Sequence, residues 1–142
     1  MKIPRPRETV IRIVAALVRD PAGRVLLVRK RGTEAFLQPG GKPQASESHL
    51  AALERELNEE LDCSIEPESA VFLGTFAAAA ANEDGYLVEA ALYSLRLTGT
   101  VRTASEIEEI IWLHPDPPHP VALAPLTRDT VLPLAMRIRN DS

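Results

Sequence analysis

Three glutamates lie within five residues of one another near the middle of the chain, at Glu56, Glu59 and Glu60. On a helix that advances about 100° per residue, these spacings place the three carboxylates in one arc. Like charges three or four residues apart cost a helix roughly 0.2–0.5 kcal/mol per pair, so the cluster indicates a compensating cation. A hard divalent metal ion, which prefers oxygen ligands, suits this arrangement.

The same segment carries a wider pattern with fixed offsets. It reads G-x(5)-E-x(7)-R-E-x(2)-E-E and begins at Gly41, with Glu47 and Arg55 ahead of the glutamates. An amphipathic helix with a solvated acidic face would account for the glutamates but not for these three residues at their offsets. Leucines form an apolar stripe roughly 110° from the acidic arc: Leu50, Leu53, Leu57 and Leu61.

The elements around this segment follow from local patterns. Strands are predicted over residues 10–18, which are rich in Val and Ile, and over residues 25–28, 70–80, 86–97 and 106–113. The first two, joined by a turn at 20–23, are expected to form a hairpin. The acidic helix is expected to begin near Ser48, with Ser46 or Ser48 as its N-cap, and a last helix is expected over 133–139. This order predicts an α/β fold with a mixed sheet.

Composition limits the class of protein. With 142 residues and 45% hydrophobic content, the chain has the size of a single domain with a substantial core. A net charge of −4 argues against a protein that binds duplex nucleic acid. The single cysteine, Cys63, excludes an intramolecular disulfide and a zinc site built from several cysteines. We expect Cys63 to be a small buried apolar residue.

Neither a secretory signal nor a membrane span is indicated. Residues 1–10 contain two prolines and no apolar core of the kind that a signal peptide has. The most apolar stretch, residues 76–81, is far too short to cross a bilayer. Cytoplasmic residence without a membrane partner is therefore the expectation, and a homodimer is compatible with the sequence.

The fixed pattern resembles the Nudix box, G-x(5)-E-x(7)-R-E-U-x-E-E-x-G-U, in which U is aliphatic. All six glycine and charged positions match, and Leu57 supplies the first aliphatic residue. Asp62 stands where the family has glycine, and Cys63 where it has an aliphatic residue. The resemblance implies an α/β/α sandwich over residues 10–138. It also implies hydrolysis of a nucleoside diphosphate linked to another group, with Mg²⁺ or Mn²⁺ as cofactor.

The resemblance assigns roles within the box. Metal ligands would be three carboxylates and one backbone carbonyl, those of Glu56, Glu59, Glu60 and Gly40. Glu59 and Glu60 would belong to the catalytic group together with Arg55, which would orient carboxylates through charge-assisted hydrogen bonds. Glu47, near the start of the helix, would be favoured there by the helix dipole.

Residues outside the box are harder to assign. Family members often recruit a later acid as ligand or general base, and Glu106 is our choice because it precedes the strand of Trp112. Glu108 and Glu109 have the same chemistry, and all three could instead be solvated edge-strand charges. Candidate diphosphate contacts are the basic residues that flank the box, which could also be exposed solubility residues: Arg29, Lys30, Arg31 and Lys42. Candidate contacts to the base or ribose are Phe36, Gln38 and Asn82.

Two other functions share the fold that the resemblance implies. Nucleotide-sensing modules of this type usually have eroded glutamates, whereas all of the glutamates are intact here. Isopentenyl-diphosphate isomerases need a paired catalytic cysteine and glutamate elsewhere, and Cys63 lies in the wrong place for that pair. The nucleotide substrate stays open, because the loops that discriminate among nucleotides lie outside the box.

Overall fold

Six strands, two α-helices and one π-helical turn form in the part of the chain that the structure, a computed structural model, describes: residues 9–81 and 84–141. The strands are β1 (Thr9–Leu17), β2 (Val25–Lys30), β3 (Gly40–Gly41), β4 (Ser64–Ala79), β5 (Tyr86–Thr98) and β6 (Ile107–Leu113). The helical elements are α1 (His49–Leu61), the π turn (Thr127–Val131) and α2 (Leu132–Asp141). The suggested contact Asn82 and residues 1–8 lie outside the described residues.

A mixed four-stranded sheet is the centre of the fold, which confirms the predicted α/β class. Its strand order is β3-β1-β5-β4, with β1 parallel to β5 and the other pairs antiparallel. The strands β2 and β6 form a separate antiparallel pair. β4 begins six residues earlier than predicted, and its pairing with β5 shifts register between Glu66 and Val71, around Pro67.

The predicted hairpin of the first two strands is wrong. β1 lies between β3 and β5, so both of its hydrogen-bonding edges are occupied, and β2 pairs with β6. Only an isolated bridge between Arg19 and Val25 joins the two segments. The physical reason lies in the four buried residues at positions 14–17, because a strand buried on both faces belongs inside a sheet.

Alternate residues of β1 serve two apolar layers, which gives the α/β/α sandwich. Val14 belongs to a buried cluster with Leu57 of α1. Its neighbour Ala15 belongs to a second cluster, on the opposite face, with Leu132 of α2. Cys63 is buried at the end of the α1 layer, as expected. In the described part of the chain, no helix is long and apolar enough to cross a membrane.

Both ends of α1 are capped. At the N-terminus, the Ser48 hydroxyl accepts a hydrogen bond from the Ala51 N–H at 3.1 Å, so Ser48 rather than Ser46 is the N-cap. At the C-terminus, Asp62 adopts the left-handed conformation (φ 53°, ψ 42°) and donates its N–H to the carbonyl of Asn58. Asp62 therefore takes the backbone conformation that glycine would otherwise supply.

The C-terminal helix α2 begins at Leu132, within one residue of the predicted start near Pro133, and a π turn that was not predicted precedes it. The chain first forms the π turn, in which the Leu132 N–H bonds to the Thr127 carbonyl five residues back. Pro133 lies in the first turn of α2, directly after this wider turn. Proline has no N–H and clashes with a carbonyl one α-helical turn back, so a π turn ahead of it lets the helix continue.

Candidate active site

Two consecutive glycines bring strand β3 close to β1 and to α1. Gly41 pairs with Val14, and a Cβ at position 41 would overlap the carboxylate of Glu56. Gly40 has φ 150°, and a Cβ there would overlap the Val14 carbonyl and lie 2.8 Å from the Ala15 Cα. Any side chain at either position would therefore displace the strand or the Glu56 carboxylate.

Glu60 is a buried carboxyl group next to a second one. Only 5% of the residue is exposed, and its side chain forms a hydrogen bond with Glu56 and accepts one from the Gly40 N–H. Burial, followed by the hydrogen bond and negative charge of Glu56, raises the pKa of Glu60 to about 8. The positive charge of Lys30 acts in the opposite direction. Two carboxyl groups that share a buried proton form a pair of oxygen donors for a divalent cation.

Arg55 connects the loop before α1 to this pair. Its Nε and Nη2 atoms donate to the Glu47 carboxylate at 2.9 Å each, and Nη1 donates to Glu56 Oε1 at 2.8 Å. Nη2 also donates to the Lys42 carbonyl at 3.0 Å. The Arg55 hydrogen bonds to the Glu47 carboxylate, together with one from the Gln44 N–H, lower the pKa of Glu47 to about 2. The guanidinium thus fixes the Glu56 carboxylate in the way that an orienting arginine would.

Glu59 is placed differently from the other two glutamates of the box. Its side chain is 55% exposed, and the Arg55 guanidinium lies 3.7 Å from it. Within residues 9–81 and 84–141, no three His, Cys, Asp or Glu side chains are grouped so that they could hold a metal ion. The carboxyl groups that the structure brings together are those of Glu56 and Glu60, beside the Gly40 backbone. An all-oxygen set of this kind would fit Mg²⁺, which keeps several of its own waters.

The three candidate late acids all form ion pairs with basic residues at the end of β2. The pairs are Glu106 with Lys30 at 3.5 Å, Glu108 with Arg31 at 3.5 Å and Glu109 with Arg29 at 3.2 Å. The loop before Glu106 is also hydrogen-bonded to α1, because the Ala104 N–H donates to the Glu60 carbonyl at 3.1 Å. Of the three acids, Glu106 therefore lies in the segment that is tied to the box helix.

The suggested substrate contacts fall into two groups. Arg29 lies over the Phe36 ring, 5.8 Å from its centroid, and donates to the Thr33 carbonyl. Gln38 is almost fully buried and accepts a hydrogen bond of 2.6 Å from the Thr127 hydroxyl. The second group, Arg31 and Lys42, is exposed.

Thr127 was not assigned from the sequence, and Lys30 was only grouped with the other basic residues that flank the box. Thr127 lies 89 residues from its partner Gln38, and no local pattern connects them. The alternation of residues along β2 indicates the face on which Lys30 lies. Because alternate residues of a strand share a face, it follows Leu26 and Val28 on the side of the α1 cluster.

Comparisons with known proteins agree with this geometry. A family model described as NUDIX domain matches residues 9–133. The E. coli ORF135 protein is 25% identical with a TM-score of 0.70, and the match covers 97% of this chain and 96% of that chain. A MutT NUDIX hydrolase from Burkholderia pseudomallei is 23% identical with a TM-score of 0.69, covering 92% and 98%.

A third solved structure, the MutT protein from Methanosarcina mazei Go1, is 20% identical with a TM-score of 0.72, and the match covers 95% of this chain and 99% of that chain. A search of curated proteins found no match. The family model covers most of the chain, and its match includes the glycines, the arginine and the glutamates described above. The chain therefore belongs to the Nudix family and is an enzyme of the Nudix pyrophosphohydrolase type.

Proposed function

We propose that this enzyme hydrolyses a nucleoside diphosphate linked to another moiety and that it uses Mg²⁺ or Mn²⁺ for the reaction. The observation that carries the proposal is the pair formed by buried Glu60 and half-buried Glu56, with Arg55 bonded to Glu56 at 2.8 Å. A buried carboxylate pair is costly unless a proton or a cation neutralises it. A divalent cation at this pair would meet that requirement.

Each residue of the site would have a distinct task. Glu56, Glu60 and the Gly40 carbonyl would hold the cation, while Arg55 keeps the Glu56 carboxylate in place. The bound cation would neutralise diphosphate oxygens and lower the pKa of the attacking water. Glu59 and Glu106 are exposed acids at the margin of the site, and we assign the removal of the water proton to one of them.

The nucleoside end of the substrate would lie toward Phe36 and Gln38. The Thr127 hydroxyl fixes one end of the Gln38 amide, which would leave the amide nitrogen to contact a base or ribose oxygen. Arg29 lies over the Phe36 ring and would contact the same end of the substrate. Arg31 and Lys42, both exposed, would serve the phosphates.

A panel of nucleotides assayed for phosphate release tests the proposal. Turnover should require Mg²⁺ or Mn²⁺ and should stop when EDTA is added. Tight nucleotide binding in calorimetry without hydrolysis of any substrate would indicate a nucleotide sensor instead.

The variant Glu60→Gln identifies the site within the same assay. One charged ligand becomes neutral while the side chain keeps its shape, so kcat should fall by about two orders of magnitude or more. The melting temperature should not fall, because the variant removes the need to bury a carboxyl group near Glu56. An unchanged rate would contradict the proposed set of ligands.

A further inference from the structure

Lys30 is the basic residue whose position is least explained by the roles assigned so far. It is the last residue of β2, and the pairing with β6 shifts register between Arg29 and Lys30. The shift separates two neighbouring cations. Arg29 lies over the Phe36 ring, whereas Lys30 reaches toward Glu106.

Three hydrogen bonds hold the surroundings of Lys30 against α1. The Arg31 N–H donates to the Glu106 carbonyl at 2.8 Å, which joins the end of β2 to the loop before β6. In that loop, the Ala104 N–H donates to the Glu60 carbonyl at 3.1 Å, and the Arg102 N–H donates to the Leu61 carbonyl at 2.9 Å. The end of β2, the loop and the last turn of α1 therefore form one connected unit.

The ammonium of Lys30 pairs with one acid of this unit and acts on a second through its charge. Its Nζ is 3.5 Å from Glu106 Oε1, and its charge lowers the pKa of Glu60 against the effect of burial. A divalent cation held by Glu60 would carry two positive charges into the neighbourhood of that ammonium. Like charges repel more strongly where water is partly excluded.

We propose that the Lys30 ammonium is an exchangeable counter-cation of this site, which pairs with Glu106 beside Glu60 and leaves Glu106 when a divalent cation binds. The inference rests on the proposed metal-dependent function and adds a residue to it. Binding of the cation would then free the Glu106 carboxylate to contact the cation or its bound water. Glu106 would thus be coupled to metal binding through one lysine.

Lysine methyl groups give a direct probe of this exchange. The chain has three lysines, Lys2, Lys30 and Lys42, and reductive methylation with ¹³C labels them without removing their charge. The Lys30→Arg variant assigns the Lys30 signal. Addition of Mg²⁺ should move that signal toward the position it takes in Glu106→Gln without Mg²⁺.

Glu108→Gln is the matched control, because Glu108 pairs with Arg31 at the same distance of 3.5 Å as Glu106 with Lys30. It should leave the Lys30 signal where it is in the unmodified sequence. A Lys30 signal that stays in place while calorimetry records Mg²⁺ binding would overturn the inference and leave the proposed function standing. Absence of Mg²⁺ binding in calorimetry would overturn both.

Discussion

Glu60 is a carboxyl group that burial and a second carboxylate keep protonated near neutral pH. Its pKa of about 8 has burial as its largest cause, followed by Glu56. In water, a glutamate at that pH would be ionised. A metal ion bound at the proposed site would therefore replace a proton on Glu60, because the two carboxyl groups do not form a preformed pair of charges.

Metal binding should consequently release a proton. At pH 7, below the Glu60 pKa of about 8, most molecules carry the proton that Mg²⁺ must displace, so we expect the release of nearly one proton per site. Calorimetry in two buffers with different heats of ionisation measures this number. Glu60→Gln removes the titrating group and is the control. Binding that releases no proton at pH 7 would show that Glu60 is already ionised.

Glu106 should act in the chemical step rather than in substrate binding. If it supplies a ligand or general base, Glu106→Gln lowers kcat with little change in KM, because the lost interaction strengthens only as water attacks. Glu108→Gln and Glu109→Gln should be nearly silent and should change the free energy of unfolding by less than about 0.5 kcal/mol. Steady-state kinetics and denaturant titrations measure both effects. Equal losses of kcat in all three variants would contradict this assignment.

The sequence predicted the residues of the box better than their partners outside it. The offset of Arg55 from Glu47 and Glu56 is local, and the structure has hydrogen bonds between these side chains. The contact between Gln38 and Thr127 joins segments 89 residues apart and depends on how the π turn before α2 packs. No periodicity in either segment could have indicated it.

At the scale of elements, α1 combines a buried apolar face with an acidic edge, and its ends are set by Ser48 and Asp62. The leucine spacing predicted the apolar face, whereas the residue types before the helix left the N-cap open between Ser46 and Ser48. The strand partners were less predictable, because β1 and β2 are neighbours in sequence and members of different sheets. Their separation follows from the burial of β1 on both faces, which only the assembled fold determines.

Asp62→Gly should stabilise the protein. Asp62 occupies the left-handed conformation (φ 53°, ψ 42°), in which a Cβ costs about 1 kcal/mol or more. After the higher entropy of glycine in the unfolded chain is subtracted, we expect a gain of about 0.5 kcal/mol in the free energy of unfolding. Urea titration measures it. Asn58→Gly, within the exposed face of α1, is the opposite control and should lose roughly 0.5–1 kcal/mol.

For the whole molecule, the same carboxyl group should make stability depend on pH. Without a divalent ion, and at a pH between 4.5 and about 8, Glu60 keeps its proton in the native state but has lost it in the unfolded state, where its pKa is the ordinary 4.5. The free energy of unfolding should therefore fall as the pH rises through this window. Glu47 has the opposite effect, because its pKa is lowered to about 2 in the native state. Its contribution to the free energy of unfolding is present above pH 4.5 and is lost as the pH falls from 4.5 to about 2.

Thermal unfolding at both ends of the window tests this dependence. Saturating Mg²⁺ should flatten the decline, because a metal-bound Glu60 has no proton to retain. Glu60→Gln should flatten it without Mg²⁺. A decline of the same slope in that variant would mean that another group is responsible.

The hydrogen bonds from the Arg102 and Ala104 N–H groups to the Leu61 and Glu60 carbonyls also determine where this fold can accept extra residues. Gly99 has φ 81°, and a Cβ at this position would meet no other atom within 4 Å. An insertion there lies before both bonds and would leave the distance from α1 to Glu106 unchanged. An insertion of the same length after Ala104 would lengthen the segment that connects these bonds to the acid. We therefore expect an insertion at Gly99 to be tolerated and an insertion of the same length after Ala104 to inactivate the enzyme.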